Sequence, residues 1–473
     1  MKINIGLEIH CQMTGLKSKL FCSCEADYRG KQPNGNICPI CLGLPGTLPL
    51  LNKKALENAL MLSLALNCKI PDVVSFYRKN YFYPDLPKNF QITQYNSYQI
   101  SSIGSGGTVE FDHKKVRIRR IQLEEDPGRL VYESGIATSN YTLVDYNRAG
   151  VALMEIVTEP DFDDPKDVKL FLNKLVSVLE HLGTCDTKLD GAVRCDVNIS
   201  QENKKKVEIK NVGSFKEVEK ALVFEISRQK SFGIKGIEVK SETRHWDDIR
   251  RITIQSRTKE EEQDYRYFPE PDIPAAYLGN ELINSLTKQM PELPDARKSR
   301  FVENFGLSEQ NAQILIDEKD TADFFEESLK LYDDAKEISN WFVTDLKVFI
   351  NEANGIRSLK IKPSHIAELV KLVNQSTISR NTAKQILQQI VKSGEMPSVV
   401  MNNLKATKIS NEEALIQIVD DVFAKETIAV RDALKNEKAI NFLLGKVIQS
   451  TRGRADPKLT TELIRKKIAS IST

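Results

Sequence analysis

The sequence lacks the features that would place the protein in a membrane, on a secretion route or among strongly basic proteins. Across its 473 residues, no apolar run reaches the roughly 18 residues that a membrane-spanning helix requires. The N-terminus shows neither a secretion signal nor an arginine- and serine-rich transit segment. The formal net charge is only +2, so any nucleic-acid-binding surface must be local. These absences predict a cytoplasmic protein that is not anchored in a membrane.

A phosphate-binding P-loop is missing as well. The chain has no G-x-x-x-x-G-K-[ST] segment, in which a glycine-rich backbone and a lysine cradle nucleotide phosphates. The glycine cluster "GSGG" at 104–107 is predicted to form a turn instead. A P-loop enzyme is therefore disfavoured, and any nucleotide must be held in another way.

Eight cysteines in a chain without a secretion signal indicate a reducing compartment, where closely spaced cysteines more often bind metal than form disulfides. Two close pairs with thirteen residues between them comprise Cys22, Cys24, Cys38 and Cys41. Four thiolates match the tetrahedral geometry of structural Zn²⁺, which predicts a zinc-binding cysteine knuckle at 22–41. Free thiols packed in a loop are the alternative. The isolated cysteines are predicted to be core residues, namely Cys11, Cys68, Cys185 and Cys195.

The first residues predict a half-buried strand. Between residues 3 and 12, apolar side chains alternate with polar ones. Glu8 and His10 therefore lie on the polar face, about 7 Å apart along the chain. One cation that prefers oxygen ligands could contact both side chains. A solvated strand face is the alternative interpretation.

Two more acidic positions could complete such a site. In "VRIRRIQLEEDPGRL" the apolar positions change from even to odd numbers, which predicts a β-bulge at 119–120 that redirects the acidic run 124–126. Glu155 interrupts the apolar run 151–157, and a carboxylate in a buried strand is costly unless it is paired or metal-bound. A charged turn and an edge strand are the alternatives.

Carboxylates with one imidazole favour Mg²⁺ or Mn²⁺ over zinc, so a magnesium site separate from the cysteines is predicted. The sequence leaves open which member of the pair 124–125 binds the ion. The predicted magnesium ligands are Glu8, His10, Glu124, Glu125 and Glu155.

Several segments resemble, in order, members of the GatB/GatE family of tRNA-dependent amidotransferase subunits. They are "GLEIH", "RKNYFYPDLPKNFQITQY", "LEEDPG", "LVDYNRAGVALMEIVTEPD", "RCDVNIS" and "DYRYFPEPDIP". The resemblance extends to about residue 275 and resumes in the tail with "INFLLGKVIQSTRGRADPKL". The part between them is recognisable only as a helical connector. Where the family usually has a histidine before "LEED", this chain has Ile121 and Gln122.

The resemblance implies a two-step reaction on misacylated tRNA. ATP phosphorylates the side-chain carboxylate of Asp on tRNA(Asn) or of Glu on tRNA(Gln), and ammonia then displaces the phosphate. The resemblance also implies a heterotrimer, in which an amidase A subunit hydrolyses glutamine to supply ammonia and a small C subunit completes the assembly. The sequence leaves both tRNAs open as substrates.

The implied fold is α+β. The catalytic domain resembles that of glutamine synthetase, an antiparallel sheet flanked by helices in which metal-bound carboxylates and basic side chains hold ATP. This domain is expected at 1–290, followed by an all-helical connector at 291–400 and a small helical tail at 401–473. The strand pattern agrees, because 193–199 and 205–212 alternate in polarity as the two strands of a hairpin do.

The resemblance and the local chemistry together give the candidate site residues. His10, Glu125 and Glu155 are expected to be catalytic by holding magnesium at the phosphoryl group. Prolines in "RKNYFYPDLPK" stiffen a loop that can present cations and rings to phosphates or to a base. The expected ATP contacts in this loop, the hairpin and "DYRYFPEPDIP" are Lys79, Tyr81, Tyr83, Lys88, Arg194, Lys210 and Arg266.

The tail is basic. Its last 33 residues, 441–473, carry seven Lys or Arg against two Asp or Glu. The family implies that the helical and tail domains bind tRNA, and Gly453 is expected to form a turn whose flanking guanidinium groups suit phosphate oxygens. A solvated basic surface is the alternative. The predicted tRNA contacts are Arg452, Arg454 and Lys458.

Two other functions compete with tRNA-dependent amidation. A ligase similar to glutamine synthetase that acts on a free amino acid would not need the basic tail. A non-catalytic, zinc-containing RNA-binding protein would not need acidic and histidine side chains that converge on one point. Each alternative therefore leaves one group of residues unexplained.

Overall fold

The computed structural model describes residues 2–95, 102–133, 139–202, 204–258, 264–404, 412–433, 437–451 and 454–471. The chain divides into two compact units, Met1–Ala296 and Arg297–Thr473. The first combines a large, mainly antiparallel sheet with helices, and the described part of the second contains helices. This architecture confirms the predicted α+β class.

The strands belong to the first unit. They are β1 (Ile3–Gln12), β2 (Val73–Val74), β3 (Tyr77–Asn80), β4 (Phe90–Thr93), β5 (Gly104–Phe111), β6 (Lys114–Glu125), β7 (Arg129–Val131), β8 (Leu143–Asp145), β9 (Ala152–Thr158), β10 (Val193–Gln201), β11 (Val207–Val212), β12 (Glu242–Asp247), β13 (Ile252–Thr258), β14 (Phe268–Pro269) and β15 (Ala276–Tyr277). The main sheet has the order β13-β12-β11-β10-β1-β9-β6-β5, and smaller ladders join β14-β3-β4, β15-β2 and β7-β8. Only the pairing of β11 with β12 is parallel among the described strands.

The helices of this unit are α1 (Lys53–Ala65), α2 (Pro165–His181), α3 (Phe215–Ile234) and α4 (Asn280–Gln289). Ile5, Leu7 and Ile9 of β1 share one hydrophobic core with Phe171 of α2 and Leu222 of α3. Because successive side chains of a strand point to opposite faces, the intervening polar side chains of β1 lie on the face opposite this core. That polar face of the sheet carries the candidate site.

Two local predictions concern strands β5 and β6, and they have different outcomes. The pairing of β6 with β9 shifts register between Ile118 and Arg120, which confirms the predicted bulge. The predicted turn at "GSGG" is wrong, since these residues begin β5. A Cβ on Gly107 would lie 2.5 Å from the Leu66 carbonyl oxygen, and one on Gly104 would lie 2.5 Å from Ser63 Oγ. These glycines therefore allow the strand to pass close to the end of α1.

The isolated cysteines differ in burial. Cys11, Cys185 and Cys195 are buried, which confirms their prediction as core residues. Cys68 is only half-buried. Its thiol lies beside Gly107 of β5, where a side chain larger than hydrogen would collide with it.

The helices after residue 290 are α5 (Pro294–Phe305), α6 (Glu309–Ile316), α7 (Lys319–Leu331), α8 (Ala335–Asn340), α9 (Lys347–Glu352), α10 (Pro363–Asn374), α11 (Arg380–Ser393), α12 (Pro397–Asn403), α13 (Glu412–Lys425), α14 (Thr427–Ala433), α15 (Glu437–Ser450) and α16 (Pro457–Ile471). A π-helix spans Trp341–Leu346 and a 3₁₀ helix spans Ile356–Ser358. One hydrophobic cluster draws on residues 301–401 and another on residues 415–468. Among the described residues, no helix combines the length and the apolarity needed to cross a membrane.

Candidate functional site

A histidine and two carboxylates meet on the polar face of the main sheet. Strand pairing places His10 of β1 directly across from Glu155 of β9, and strand alternation brings Glu8 to the same face. His10 Nε2 lies 3.6 Å from Glu8 Oε1 and 3.9 Å from Glu155 Oε2. One ligand atom from each residue lies within 4.8 Å of the other two, so the three side chains could hold one metal ion.

Glu124 of β6 is a fourth candidate ligand. Its Oε1 lies 3.8 Å from His10 Nε2, and Thr93 Oγ1 donates a hydrogen bond of 3.0 Å to its Oε2. Burial, reinforced by the charge of Glu155, raises the pKa of Glu124 to about 7. The same two causes raise the pKa of Glu8. A bound cation would offset the repulsion between these carboxylates. The carboxylate cluster is defined as Glu8, His10, Glu124 and Glu155.

Glu125 does not join the carboxylate cluster, although the sequence predicts it as a ligand. Successive strand residues point to opposite faces, so Glu125 is directed away from Glu124. Its Oε1 accepts a hydrogen bond of 2.8 Å from the Ile92 main-chain N–H and lies 2.6 Å from Lys88 Nζ. We therefore correct the predicted ligand set by removing Glu125. Lys88, predicted to contact ATP, forms an ion pair with this carboxylate.

Lys79 of β3 lies near the carboxylate cluster, among tyrosine rings. Its Nζ lies 4.8 Å from the ring centroid of Tyr265 and 5.5 Å from that of Tyr81. Burial lowers the pKa of Lys79, but the negative charges of Glu124 and Glu155 help to raise it above its ordinary value. Lys79 therefore carries a positive charge that could form an ion pair with a phosphate group.

A group of tyrosines extends from Lys79. Tyr95 and Tyr267 stack with ring centroids 3.9 Å apart and an interplanar angle of 5°, and Tyr265 meets Tyr267 edge to face at 6.0 Å. Burial, with the charges of the carboxylate cluster, raises the pKa of Tyr267. The sequence motifs identified Tyr81 but not these partners as site residues. They come from distant segments that meet because β14 pairs with β3.

Two further cations lie on the polar face. Lys210 Nζ lies 2.9 Å from Asp196 Oδ2 and 3.3 Å from Glu208 Oε1. Burial lowers the pKa of Lys210, but these two carboxylates raise it above its ordinary value. Arg120 donates a hydrogen bond of 2.9 Å from its guanidinium NH2 group to Glu155 Oε1. The predicted bulge could have identified Arg120 as a site residue, since a bulge redirects the side chains of a strand.

Arg194, another predicted ATP contact, is engaged by a buried carboxylate. Its guanidinium donates a hydrogen bond of 2.8 Å to Asp126 Oδ1, and Gln12 Nε2 donates one of 2.5 Å to Asp126 Oδ2. Burial raises the pKa of Asp126, but the charges of Arg194 and Arg148 hold it below its ordinary value. Through its hydrogen bond to Asp126, Arg194 therefore stabilises the chain immediately after β6.

Tyr83 and Arg266 lie apart from the carboxylate cluster. The side chain of Tyr83 is 50% exposed. Arg266 has a left-handed backbone conformation with φ of 45° and is half-buried. Its main-chain N–H donates a hydrogen bond to Asp264 Oδ1, and its carbonyl oxygen accepts one from Asn80 Nδ2. Neither side chain forms a hydrogen bond or ion pair with the carboxylate cluster in the described part of the chain. The structure thus does not bring these two predicted contacts to the cluster.

The cysteine knuckle forms a second candidate metal site. Sγ atoms of Cys22, Cys24, Cys38 and Cys41 all lie within 4.8 Å of one another. The Cys38 main-chain N–H donates a hydrogen bond of 3.1 Å to Cys41 Sγ. A hydrogen bond from Cys22 lowers the pKa of Cys41 to about 5, and burial raises that of Cys24 to about 11. This donor set could hold a metal ion, and four thiolates suit zinc.

The predicted tRNA contacts in the tail differ in their surroundings. Arg452 lies outside the described residues. Arg454 is half-buried, and its Nε donates a hydrogen bond of 3.1 Å to the Thr451 carbonyl oxygen at the end of α15. Lys458 is exposed in the first turn of α16. Of the two described residues, Lys458 is thus the more accessible to a phosphate.

Comparison with known proteins gives the family. Residues 3–284 match the family model for the GatB/GatE catalytic domain, and residues 323–468 match that for the GatB domain. The aspartyl/glutamyl-tRNA(Asn/Gln) amidotransferase B subunit of Sulfurisphaera tokodaii is 48% identical over 98% of this chain and 99% of the relative. Proteins of the same name are 44% identical in Thermotoga maritima, over 98% of both chains, and 41% identical in Carboxydothermus hydrogenoformans, over 99% of this chain and 98% of the relative. The resemblance seen in the motifs is confirmed, and the chain belongs to the GatB/GatE family.

Proposed function

We propose that this chain uses ATP to phosphorylate the side-chain carboxylate of Asp or Glu misacylated onto tRNA(Asn) or tRNA(Gln), after which ammonia displaces the phosphate. The observation that carries this proposal is the convergence of Glu8, His10 and Glu155, whose ligand atoms lie within 4.8 Å of one another. The relatives are named as B subunits of aspartyl/glutamyl-tRNA(Asn/Gln) amidotransferases, which supports the same reaction.

The residues around the carboxylate cluster suit phosphoryl transfer, which depends on positioning and charge more than on a protein nucleophile. The cluster would bind Mg²⁺ through carboxylate oxygens and the His10 imidazole. When bound, the ion supplies charge neutralisation for the transferred phosphoryl group. Lys79 offers a positive charge nearby for phosphate oxygens. Arg120 orients the Glu155 carboxylate through its hydrogen bond of 2.9 Å.

The stacked tyrosines are proposed to receive the adenine of ATP or of the tRNA 3′ end. Tyr95 and Tyr267 already stack on each other at 3.9 Å, and a base can add to the outer face of such a stack. Both candidates present the same chemistry, an adenine ring next to phosphates. The position beside Lys79 favours a ligand that carries both.

The cysteine knuckle is proposed to hold structural Zn²⁺. Zinc with four protein ligands leaves no open position for a substrate, so its contribution is to folding. A reducing compartment such as the cytoplasm keeps the four thiols available as ligands.

The assembly is proposed to be a heterotrimer with an amidase A subunit, which hydrolyses glutamine to supply ammonia, and a small C subunit. Residues 1–290 would form the catalytic domain, 291–400 the helical connector and 401–473 the tRNA-binding tail. Separate hydrophobic clusters at 301–401 and 415–468 support the second division.

The test supplies the assembled complex with glutamine and with ATP labelled in its γ-phosphate. Acceptors are Asp-tRNA(Asn), Glu-tRNA(Gln), free aspartate and free glutamate, and thin-layer chromatography separates the products. Label release and conversion to Asn or Gln are expected only with an aminoacyl-tRNA. Turnover of a free amino acid would indicate instead a ligase similar to glutamine synthetase. Binding of tRNA without turnover of any acceptor would indicate a non-catalytic RNA-binding protein.

A further inference from the structure

Lys19 is a lysine that is entirely shielded from solvent. Its exposed fraction is 0%, and among the described residues it is one of the largest side chains that are completely buried. Its Nζ donates a hydrogen bond of 2.9 Å to the Asn36 main-chain carbonyl oxygen and one of 3.8 Å to Cys41 Sγ. Both partners belong to the cysteine knuckle. The ammonium group of Lys19 therefore points into the candidate zinc site.

No carboxylate forms an ion pair with this ammonium group in the described part of the chain. Glu125 lies near Gly150, as Lys19 does, but its carboxylate pairs with Lys88 at 2.6 Å. Lysine is almost never fully buried without a charged partner, because removing its charge from water is costly. The ammonium group of Lys19 bonds to one carbonyl oxygen and one sulfur. The contact of 3.8 Å places the side-chain nitrogen of Lys19 against a candidate zinc ligand, at a position that water does not reach.

The cysteine knuckle, once it holds zinc, would carry a buried negative charge. A Zn²⁺ ion held by four thiolates is a doubly negative group, since the ion contributes two positive charges and the sulfurs four negative ones. Cys22 and Cys41, two of the four ligands, are buried residues, so water screens this charge poorly. A buried cation in contact with one sulfur offsets part of it. Hydrogen-bond partners of metal ligands affect metal affinity in the same way.

We infer that Lys19 is the counter-ion of the zinc-bound cysteine knuckle, where it holds Cys41 Sγ in position and strengthens zinc binding without coordinating the ion. The inference rests on the proposed zinc site and adds a positioning residue to it. It also accounts for a lysine at a fully buried position. A main-chain contact also ties Lys19 to the knuckle, because the Lys19 N–H donates a hydrogen bond of 2.9 Å to the carbonyl oxygen of Cys24, another candidate ligand.

The test compares Lys19→Met, which keeps the side-chain length and removes the charge, with Lys31→Met as the matched control. Lys31 lies in the same knuckle, with Nζ 3.3 Å from Asn36 Oδ1, and it has no sulfur partner among the described residues. Zinc affinity is measured on the full chain by competition with a chelator. Lys19→Met should weaken zinc binding by roughly 10- to 100-fold, and Lys31→Met should leave it unchanged. Lys19→Arg, which restores the charge, should recover part of the affinity.

Thermal unfolding with zinc and after its removal under reducing conditions separates charge compensation from packing. A ligand stabilises the folded state according to its affinity, so zinc should raise the melting temperature of Lys19→Met less than that of the wild type. Unchanged affinity, or equal destabilisation with and without zinc, would mean that Lys19 only fills space. If Lys19→Met does not fold, Lys19→Gln replaces it, since the amide can still donate to Asn36. A wild-type chain that binds no zinc would overturn the proposed zinc site and, with it, this inference.

Discussion

His10 and Glu155 face each other across adjacent antiparallel strands, with His10 Nε2 3.9 Å from Glu155 Oε2. The carboxylate cluster is thus assembled from three neighbouring strands, because Glu8 shares a strand with His10 and Glu124 lies on β6. Register and alternation decide which side chains reach the cluster. Exchanging one carboxylate for its amide should therefore change metal binding while leaving the sheet intact.

Metal binding should distinguish Glu155 from Glu125. Glu155→Gln removes one charge from the carboxylate cluster and should weaken Mn²⁺ binding by roughly tenfold or more. Glu125→Gln should leave that affinity nearly unchanged, because the Glu125 carboxylate pairs with Lys88 on the other side of the strand. Titration of free Mn²⁺ by electron paramagnetic resonance measures both affinities, with circular dichroism as a check on folding. An equal loss in Glu125→Gln would return Glu125 to the ligand set.

Metal analysis tests the cysteine knuckle. Protein purified without chelator should contain about one tightly bound Zn²⁺ per chain. Cys38→Ser removes a ligand whose main-chain N–H also contacts Cys41 Sγ, so it should lower the zinc content and the melting temperature. Choice between Asp-tRNA and Glu-tRNA should not change. Protein that holds no zinc, or a Cys38→Ser variant as stable as the wild type, would contradict the assignment.

Acid should weaken an ion pair in the second unit. Asp345 Oδ1 lies 2.8 Å from Lys384 Nζ; burial raises the pKa of Asp345, but hydrogen bonds and the charges of Lys384 and Arg380 hold it below its ordinary value. A depressed folded pKa gives stability that is present above the unfolded pKa of about 4 and is lost as the pH falls through the folded pKa.

Asp345→Asn should therefore destabilise the chain by up to about 1 kcal/mol at pH 7. The difference from the wild type should shrink as the pH falls from about 4, where the unfolded state becomes protonated, through the lower pKa of folded Asp345. Urea unfolding followed by helix circular dichroism at pH 7 and at pH 3 measures the two differences. A difference that does not depend on pH would show that the charge of Asp345 contributes nothing.

The tail should affect tRNA affinity through phosphates. Each phosphate contact releases condensed counterions, so Lys458→Ala should make the log-log salt slope shallower by roughly 1. Arg452→Ala with Arg454→Ala should reduce the slope by roughly 1 to 2. Arg454→Ala should also lower the melting temperature, because Arg454 Nε bonds to the Thr451 carbonyl oxygen at 3.1 Å. Filter binding between about 50 and 200 mM salt measures the slopes.

Single-turnover amidation at saturating tRNA is the control for these tail variants. The rate from bound substrate should match that of the wild type, because the tail is proposed to bind tRNA and not to take part in the chemistry. An unchanged salt slope would make the tail a solvated basic surface. A lost single-turnover rate would place it in the reaction centre.

Much of the fold could be predicted from local patterns. Alternation in residues 3–12 gave β1 and placed Glu8 beside His10, because a strand face depends only on a period of two. The change of apolar parity gave the bulge before Arg120 for the same reason. The glycines of β5 wrongly suggested a turn, since their cause is the close approach of α1, a contact between distant segments.

The candidate site was harder to predict wherever it depends on pairing between strands. Glu124 and Glu125 are adjacent and chemically equivalent, so only the orientation of β6 shows which one faces His10. The tyrosines near Lys79 belong to two segments, 81–95 and 265–267, that are far apart in the sequence and are brought together by the pairing of β14 with β3. Lys19 gives no signal at all in the sequence, because its importance lies in complete burial.

We propose above all that the carboxylate cluster performs phosphoryl transfer to aminoacyl-tRNA. The most direct measurement is single-turnover transfer of the γ-phosphate from ATP in assembled complexes that carry Glu155→Gln or the control Glu159→Gln. Glu159 lies four residues further along the chain and pairs with Arg119 at the protein surface. Glu155→Gln should slow phosphorylation and amidation by roughly 100-fold or more, with folding and assembly intact, while Glu159→Gln should behave as the wild type. Near-normal phosphorylation in Glu155→Gln would contradict the account.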